Sequence, residues 1–353
     1  MGAVKKPARS PQRSRRQETR VFELLPRLLA GQGLTQREEL AREMVATALK
    51  LLRDEANLGD FKLLNASVRE LRYAFNVFQQ YRGVRKVSVF GSARTPATDA
   101  AYRTAQEFAR RIAERGFMVI TGAGGGIMQA AQEGAGRERS FGVNIRLPFE
   151  QEPNPFIRND PKLVTFRYFF TRKVMFVKEA DAVVLCPGGF GTMDEAYESL
   201  TLLQTGKSKP MPIVFLDAPR GTYWQTWQRY VHDHLLRRRL VSPHDLSLFK
   251  VTTSVAEAVE EVTGFYRLYH SSRFVGDRFV IRLVRPVDPA HVARWAEDFT
   301  DLLGSAGIEI SGALEEERAQ EPELDALSRL VVRHDQGKPG RLRELIDRIN
   351  REG

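Results

Sequence analysis

The spacing of apolar residues changes near residue 85, and this change divides the chain. Before it, apolar residues recur every three or four positions, which is the period of an amphipathic helix. One such stripe consists of Phe61, Leu64, Val68, Leu71, Phe75 and Phe78. After it, short and almost wholly apolar runs alternate with helical stripes. We therefore predict helices over 21–82, and alternating strands and helices from 85 onward.

The apolar runs after residue 85 indicate the kind of sheet. They lie at 87–90, 117–120, 142–145, 182–186 and 213–216. Strands that are apolar at nearly every position are typical of a parallel sheet covered by helices on both faces. The sequence therefore predicts an α/β fold with a Rossmann-like, doubly wound parallel sheet.

The last part of the chain has a different pattern. Strands are predicted at 278–284, 308–310 and 330–332, with helices at 292–303 and 341–349. This pattern indicates a small α+β unit, for regulation or assembly. The predicted organisation is a basic tail over 1–20, a helical extension over 21–84, the Rossmann-like domain over 85–270 and the α+β unit over 271–353.

Composition and charge narrow the functional classes. The 353 residues carry a net charge of +10, and residues 1–20 contain seven basic residues and one acidic residue. A basic tail rich in Pro, Ser and Gln is predicted to be disordered. No apolar run approaches the roughly 18 residues of a membrane span. The single cysteine, Cys186, suits a reducing compartment, so we expect a cytoplasmic protein without a membrane segment.

A glycine-rich segment, PGGFGTMDE over 187–195, follows the apolar run 182–186 and leads into a helical stripe. A strand, a glycine turn and a helix in this order direct backbone N–H groups and a helix N-terminus at one point beyond the sheet. Thr192 is the predicted N-cap, and its hydroxyl is an alternative ligand for a phosphate. We interpret this segment as an anion-binding site.

A second glycine segment, TGAGGG over 121–126, follows the run 117–120. It has Ile127 where the dinucleotide fingerprint needs glycine, and neither segment has the lysine of a P-loop. We therefore expect neither a dinucleotide-binding protein nor a nucleoside triphosphatase. A single glycine loop is as typical of a tight turn as of a ligand-binding site. Two such loops at the same edge of one parallel sheet predict a site that binds a monophosphate.

The Arg172-Lys173 pair and Glu195 each have two interpretations. Arg172 and Lys173 interrupt an apolar helix, either as a water-facing polar edge or as cations over a phosphate or purine. Thr192 and Glu195 have the spacing of a capping box. Glu195 is alternatively a carboxylate that stabilises a ribosyl oxocarbenium and directs water.

These motifs resemble the LOG family, whose members are phosphoribohydrolases often mislabelled lysine decarboxylases. The resemblance covers 85–217 and rests on PGGxGTxxE at 187–195, the Arg172-Lys173 pair and TGxGxGIM at 121–128. It implies hydrolysis of the N-glycosidic bond of a purine nucleoside 5′-monophosphate, either AMP-like or a cytokinin riboside monophosphate. No cofactor and no metal are implied.

The resemblance assigns catalytic roles to Arg172 and Glu195. It assigns substrate binding to Gly91, Ser92, Gly124, Gly125, Gly126, Lys173, Gly188, Gly189, Gly191, Thr192, Asp194 and Thr201. The sequence departs from the family pattern at two positions. Gln129 stands where the first loop often has glutamate, and no cysteine precedes Gly91.

Two other functions are compatible with the sequence. The first is a non-catalytic nucleotide sensor or carrier on the same fold. The second is a nucleic-acid-binding protein that uses the basic tail, but no motif or interleaving of aromatic and basic residues supports it. We expect a homo-oligomer, a dimer or larger, because the helices before residue 82 carry apolar stripes.

Overall fold

The structure, a computed structural model, describes residues 35–147 and 152–353. The described residues divide into two units, with the boundary between Arg69 and Glu70. Helix α1 spans Thr35–Arg53 and α2 spans Leu58–Gln79. The predicted tail over 1–20 and the predicted helix over 21–29 lie outside the described residues. None of the described helices combines the length and apolarity needed to cross a membrane.

The second unit is built around a sheet of seven parallel strands. They are β1 (Lys86–Phe90), β2 (Met118–Thr121), β3 (Ser140–Ile145), β4 (Leu163–Phe166), β5 (Ala182–Leu185), β6 (Ile213–Leu216) and β7 (Phe249–Thr252). Their order in the sheet is β4-β3-β2-β1-β5-β6-β7. Ser88 of β1 is opposite Ile120 on one side and Val183 on the other. The predicted α/β class and parallel sheet are confirmed.

Helices cover both faces of this sheet. They are α3 (Ala100–Glu114), α4 (Ile127–Ala135), α5 (Phe169–Glu179), α6 (Phe190–Gln204), α7 (Tyr223–Tyr230) and α8 (Val255–Phe265). Helices α5, α6 and α7 pack in one apolar core, which includes Phe176 and Trp224. Helices α3, α4 and α8 pack in the other, which includes Phe108 and Val262. The strands are apolar at nearly every position because both faces are covered.

The strand order reverses between β1 and β5, which lie side by side in the sheet. The chain leaves β1 toward α3 and leaves β5 toward α6, so the two connections go to opposite faces. A crevice therefore opens between them, and ligands of such sheets bind there. The Ser92 N–H donates to the Pro187 carbonyl at 3.1 Å, which joins the two loops.

The second sheet has four antiparallel strands in the order β10-β11-β9-β8. They are β8 (Tyr269–Val275), β9 (Arg278–Leu283), β10 (Ile308–Ser311) and β11 (Ser328–Val332). Its helices are α9 (Pro289–Asp298), α10 (Thr300–Leu303), α11 (Glu315–Arg318) and α12 (Pro339–Glu352). Their core includes Trp295, Ile281 and Leu345. The predicted α+β content is confirmed, whereas the sequence did not predict β4, β7 or β8.

We expect Gly134→Ala to destabilise the second unit, because α3 and α4 approach closely at Gly134. A Cβ there would lie 2.0 Å from the Gln106 carbonyl oxygen. The clash costs about 1–3 kcal/mol, measured as the loss in free energy of unfolding in urea. A Cβ at the exposed Gly83 meets nothing within 4 Å, so Gly83→Ala is the control. Equal stability of the two variants would contradict this packing.

Candidate functional site

Helix α6 begins at Phe190, and its N-cap is Gly189. The prediction of Thr192 as the N-cap is therefore wrong. Thr192 lies inside the first turn, where its own N–H donates to the Gly189 carbonyl at 3.0 Å. Glu195 is the sixth residue of the helix, too far in to bond the N-cap, so the capping-box interpretation is also wrong. The structure gives Glu195 other partners.

The loop before α6 is closely packed on one side and open on the other. A Cβ at Gly188 would lie 2.1 Å from the Thr192 hydroxyl and 2.9 Å from the Ser92 nitrogen. Only glycine fits there. A Cβ at Gly189 or Gly191 would meet nothing within 4 Å. The backbone at Gly189 and Gly191 therefore borders open space where a side chain would lie, and the first N–H groups of a helix have no partner within the helix, so the start of α6 is suited to binding an anion.

The first glycine loop meets the loop after β1. The Ile127 N–H, at the start of α4, donates to the Ser92 carbonyl at 3.0 Å. Gly126 has a φ of +60°, and a Cβ on it would lie 2.2 Å from the same carbonyl oxygen. A Cβ at Gly91 would clash with the Ile127 side chain, and one at Gly125 would lie 3.3 Å from the Ala93 carbonyl oxygen. The start of α4 is thus partly engaged by protein, unlike the start of α6.

Asn154 supports the first glycine loop, and sequence reasoning missed it. Its buried side-chain amide donates to the carbonyls of Ala123 and Gly124 at 3.1 and 2.9 Å, and to Gln132 Oε1 at 2.6 Å. Ala123 has a φ of +63°, a conformation that costs energy for any residue with a Cβ. The only sequence signal is that Asn154 stands between two prolines.

Arg172 lies between the first glycine loop and β3. Its Nε donates to the Val143 carbonyl at 2.9 Å, and a Cβ at Gly122 would lie 2.4 Å from its Nη2. Its guanidinium carbon is 5.2 Å from the centre of the Phe176 ring. Burial lowers the pKa of Arg172, opposed by the negative charge of Glu195. Arg172 is therefore a fixed, desolvated cation and does not form a water-facing edge.

Lys173 is the centre of a carboxylate cluster. Its Nζ lies 2.9 Å from Asp194, 3.5 Å from Glu195 and 2.8 Å from Glu198. Burial by itself would lower the pKa of Lys173, but the three carboxylates together raise it. Lys173 therefore stays positively charged at neutral pH.

Glu195 is the least exposed member of this cluster, with 12% of its side chain exposed. Burial raises the pKa of Glu195 to about 7, reinforced by Glu198 and Asp194 and opposed by Lys173 and Arg172. Its carboxyl group thus exchanges protons near neutral pH. Among the described residues, no ion pair within 4.0 Å joins Arg172 to Glu195, so the two groups interact at a longer distance.

The other predicted site residues do not all lie close to Glu195. Asp194 is 61% exposed and is held by Lys173. The Gly124 carbonyl accepts from Asn154. Thr201 is exposed on α6, roughly 9 Å beyond Glu195 along the helix axis. The structure thus brings Arg172, Lys173 and Glu195 into one electrostatic cluster near the loops, whereas Thr201 lies apart from Glu195.

Part of the chain matches a known family model. Residues 125–262 match the model described as "Possible lysine decarboxylase". Over 98 residues the chain is 34% identical to an uncharacterized protein of Archaeoglobus fulgidus; the match covers 28% of this chain and 62% of that protein. The chain thus spans less than two thirds of this relative.

Two solved structures are similar over half of the chain. One is a molybdenum cofactor binding protein from Rippkaea orientalis, 17% identical, and the other is a molybdenum cofactor carrier protein from Chlamydomonas reinhardtii, 19% identical. Each match covers 50% of this chain. It covers 93% of the Rippkaea orientalis chain and 94% of the Chlamydomonas reinhardtii chain. The TM-score is 0.35 for both.

We expect Asn154→Ala to lower the free energy of unfolding by about 2 kcal/mol, because it leaves the Gly124 carbonyl and Gln132 Oε1 without this buried donor. Urea denaturation measures the change. Arg158→Ala, an exposed position in the same segment, is the control and should change stability by less than about 0.5 kcal/mol. If the two variants are equally stable, Asn154 does not support the loop.

Proposed function

We propose that this chain, which matches the "Possible lysine decarboxylase" family model over residues 125–262 and carries the LOG motifs, hydrolyses the N-glycosidic bond of a purine nucleoside 5′-monophosphate to the free base and ribose 5-phosphate. One observation carries the proposal. Glu195 is a largely buried carboxyl group whose pKa is raised to about 7, and it lies beside the cation of Lys173 and within electrostatic range of Arg172. A carboxyl group in this state is suited to proton transfer at neutral pH.

The 5′-phosphate is the proposed anchor of the substrate. It would occupy the open space beside Gly189 and Gly191 and accept hydrogen bonds from the first N–H groups of α6. A helix N-terminus is worth roughly 0.3–1 kcal/mol to an anion, and up to about 2 kcal/mol when partly buried. Binding energy of this kind, remote from the bond that breaks, serves to position the ribose.

The proposed reaction takes place at C1′ of the ribose. The C1′–N bond breaks with its electron pair going to the base, and the transition state resembles an oxocarbenium ion. Ionised Glu195 stabilises this positive charge and takes a proton from the attacking water, whose oxygen bonds to C1′. A proton is returned to the departing base. Arg172, fixed by Val143, orients the substrate.

Aromatic side chains near the candidate site supply the proposed surface for the base. Phe170 stacks with Tyr168 at 5.6 Å between ring centres, and its ring is about half exposed. Phe190, the first residue of α6, is 97% exposed. Exposed rings beside an anion site suit a planar base, because stacking buries apolar area on both partners.

We expect Glu195→Gln to reduce turnover of AMP by about 10²–10⁴-fold, because the amide can neither accept the proton of water nor carry the negative charge. Chromatography of free adenine and ribose 5-phosphate measures the rate. Glu198→Gln is the matched control, since Glu198 lies one turn away on the same helix and bonds the same lysine; its turnover should remain within about tenfold of the parent.

An unchanged rate in Glu195→Gln would overturn the proposed role of Glu195. Saturable binding of AMP by the parent chain, without release of adenine, would instead support the nucleotide sensor or carrier. Other nucleoside monophosphates in the same assay determine which base is preferred.

We expect kcat/KM to fall below pH 7, by about tenfold per pH unit, as Glu195 becomes protonated. Lys173 lowers the pKa of Glu195 and Glu198 raises it. Lys173→Met should therefore move this acidic limb to higher pH, and Glu198→Gln should move it to lower pH. Profiles of kcat/KM against pH for the three proteins test this. If the acidic limbs of the three profiles coincide, a group other than Glu195 controls the fall in kcat/KM.

A further inference from the structure

Tyr223, the first residue of α7, contacts the loop before α6. Its hydroxyl donates to the Gly188 carbonyl at 2.5 Å, although the two residues are 35 positions apart in sequence. No backbone N–H of the described residues donates to this carbonyl. Burial raises the pKa of Tyr223, so the hydroxyl is protonated at neutral pH and acts as the donor. The Gly188 carbonyl is thus held by a side chain to which the proposed reaction assigns no role.

Buried neighbours fix the position of Tyr223. Its ring lies edge-on to Trp224 at 4.7 Å between centres, and the Trp224 side chain is fully buried. The Trp224 N–H donates to Asp217 Oδ2 at 3.3 Å, and the Trp224 ring lies 4.6 Å from that of Phe215 in β6. The core beneath α7 therefore supports the Tyr223 hydroxyl independently of the loop that it contacts.

The bond from Tyr223 determines which way the Gly188–Gly189 peptide unit faces. In a trans peptide unit the carbonyl of one residue and the N–H of the next point in opposite directions, and the described chain contains no cis peptide bond. The Gly188 carbonyl points to Tyr223, so the Gly189 N–H points away from it. In the described part of the chain, the N–H groups of Gly189, Phe190 and Gly191 donate to no backbone carbonyl. Three adjacent donors without a backbone partner thus lie at the start of α6.

The two glycines cannot restrain this peptide unit by themselves. Glycine adopts more backbone conformations than any other residue, and a Cβ at Gly188 would clash with Thr192 and Ser92, so packing requires glycine there. A flip of the peptide plane would exchange the Gly189 N–H for the Gly188 carbonyl oxygen, whose partial negative charge would repel an anion. The Tyr223 hydroxyl opposes this flip, because the flip would break its hydrogen bond.

We propose that Tyr223 is a positioning residue for the substrate phosphate, which holds the Gly188 carbonyl away from the anion and keeps the Gly189 N–H directed toward it. This inference rests on the proposed function, in which the 5′-phosphate binds at the start of α6. Tyr223 acts through the loop and contacts no reacting atom. Loss of its hydroxyl should therefore weaken the binding of ligands that carry a phosphate and leave the bond-breaking step unchanged.

Tyr223→Phe tests the proposal, because it removes the hydroxyl and keeps the ring beside Trp224. Calorimetric titrations use the full chain with Glu195→Gln as background, so that AMP is not rapidly hydrolysed. We expect Tyr223→Phe to weaken AMP binding about threefold to tenfold, whereas binding of adenosine, which lacks the phosphate, should change less than about twofold. Tyr230→Phe, at an exposed tyrosine of the same helix, is the control and should bind AMP as the background protein does.

Steady-state kinetics with Glu195 intact give a second readout. Tyr223→Phe should raise KM for AMP about threefold to tenfold and leave kcat within about twofold of the parent, as loss of uniform binding energy predicts. Equal affinity for AMP with and without the hydroxyl, equal loss of affinity for AMP and adenosine, or a fall in kcat at constant KM would each overturn the role of Tyr223.

The same measurements separate this inference from the proposed function. If the chain binds AMP but releases no adenine, the proposed hydrolysis fails, and the titrations still decide the role of Tyr223. If AMP is hydrolysed and Tyr223→Phe binds it as tightly as the background protein, the role of Tyr223 alone fails. Absence of AMP binding in the background protein and in the parent would overturn both.

Discussion

The reversal of strand order between β1 and β5 is the constraint on which the candidate site depends. Because the chain leaves these neighbouring strands toward opposite faces of the sheet, their loops separate and leave a crevice. The Ser92 N–H bonded to the Pro187 carbonyl fixes one loop against the other. Gly188 and Gly126 lack side chains where the loops and helices come within contact distance. The open start of α6 is a consequence of this arrangement.

The electrostatics of the candidate site are a balance between burial and charge. Burial alone would keep Glu195 protonated, and the nearby cations Lys173 and Arg172 favour its ionised form. Glu198 and Asp194 act against these cations while they hold Lys173 in place. A carboxyl group whose pKa is raised in the fold lowers stability at neutral pH, where the unfolded chain ionises it freely, and such groups are concentrated at functional sites.

The sequence by itself determined the α/β class, the strands β1, β2, β3, β5 and β6, and the two glycine loops, because apolar runs and glycine spacing are local properties. It did not determine β4 and β7, which lie at the sheet edges where part of each strand is less buried. Nor did it determine the start of α6: Thr192 has the propensity of an N-cap, but the helix begins at Phe190 with Gly189 as its N-cap, and the Thr192 hydroxyl lies beside Gly188.

Only the tertiary structure decided the environments of the charged residues. Arg172 and Lys173 are adjacent in sequence, yet one bonds a carbonyl of β3 and the other bonds carboxylates of α6. Asn154 reaches the first glycine loop from 30 residues away in sequence. Burial, hydrogen bonding and the pKa of a side chain depend on neighbours that are distant along the chain, and no local pattern contains them.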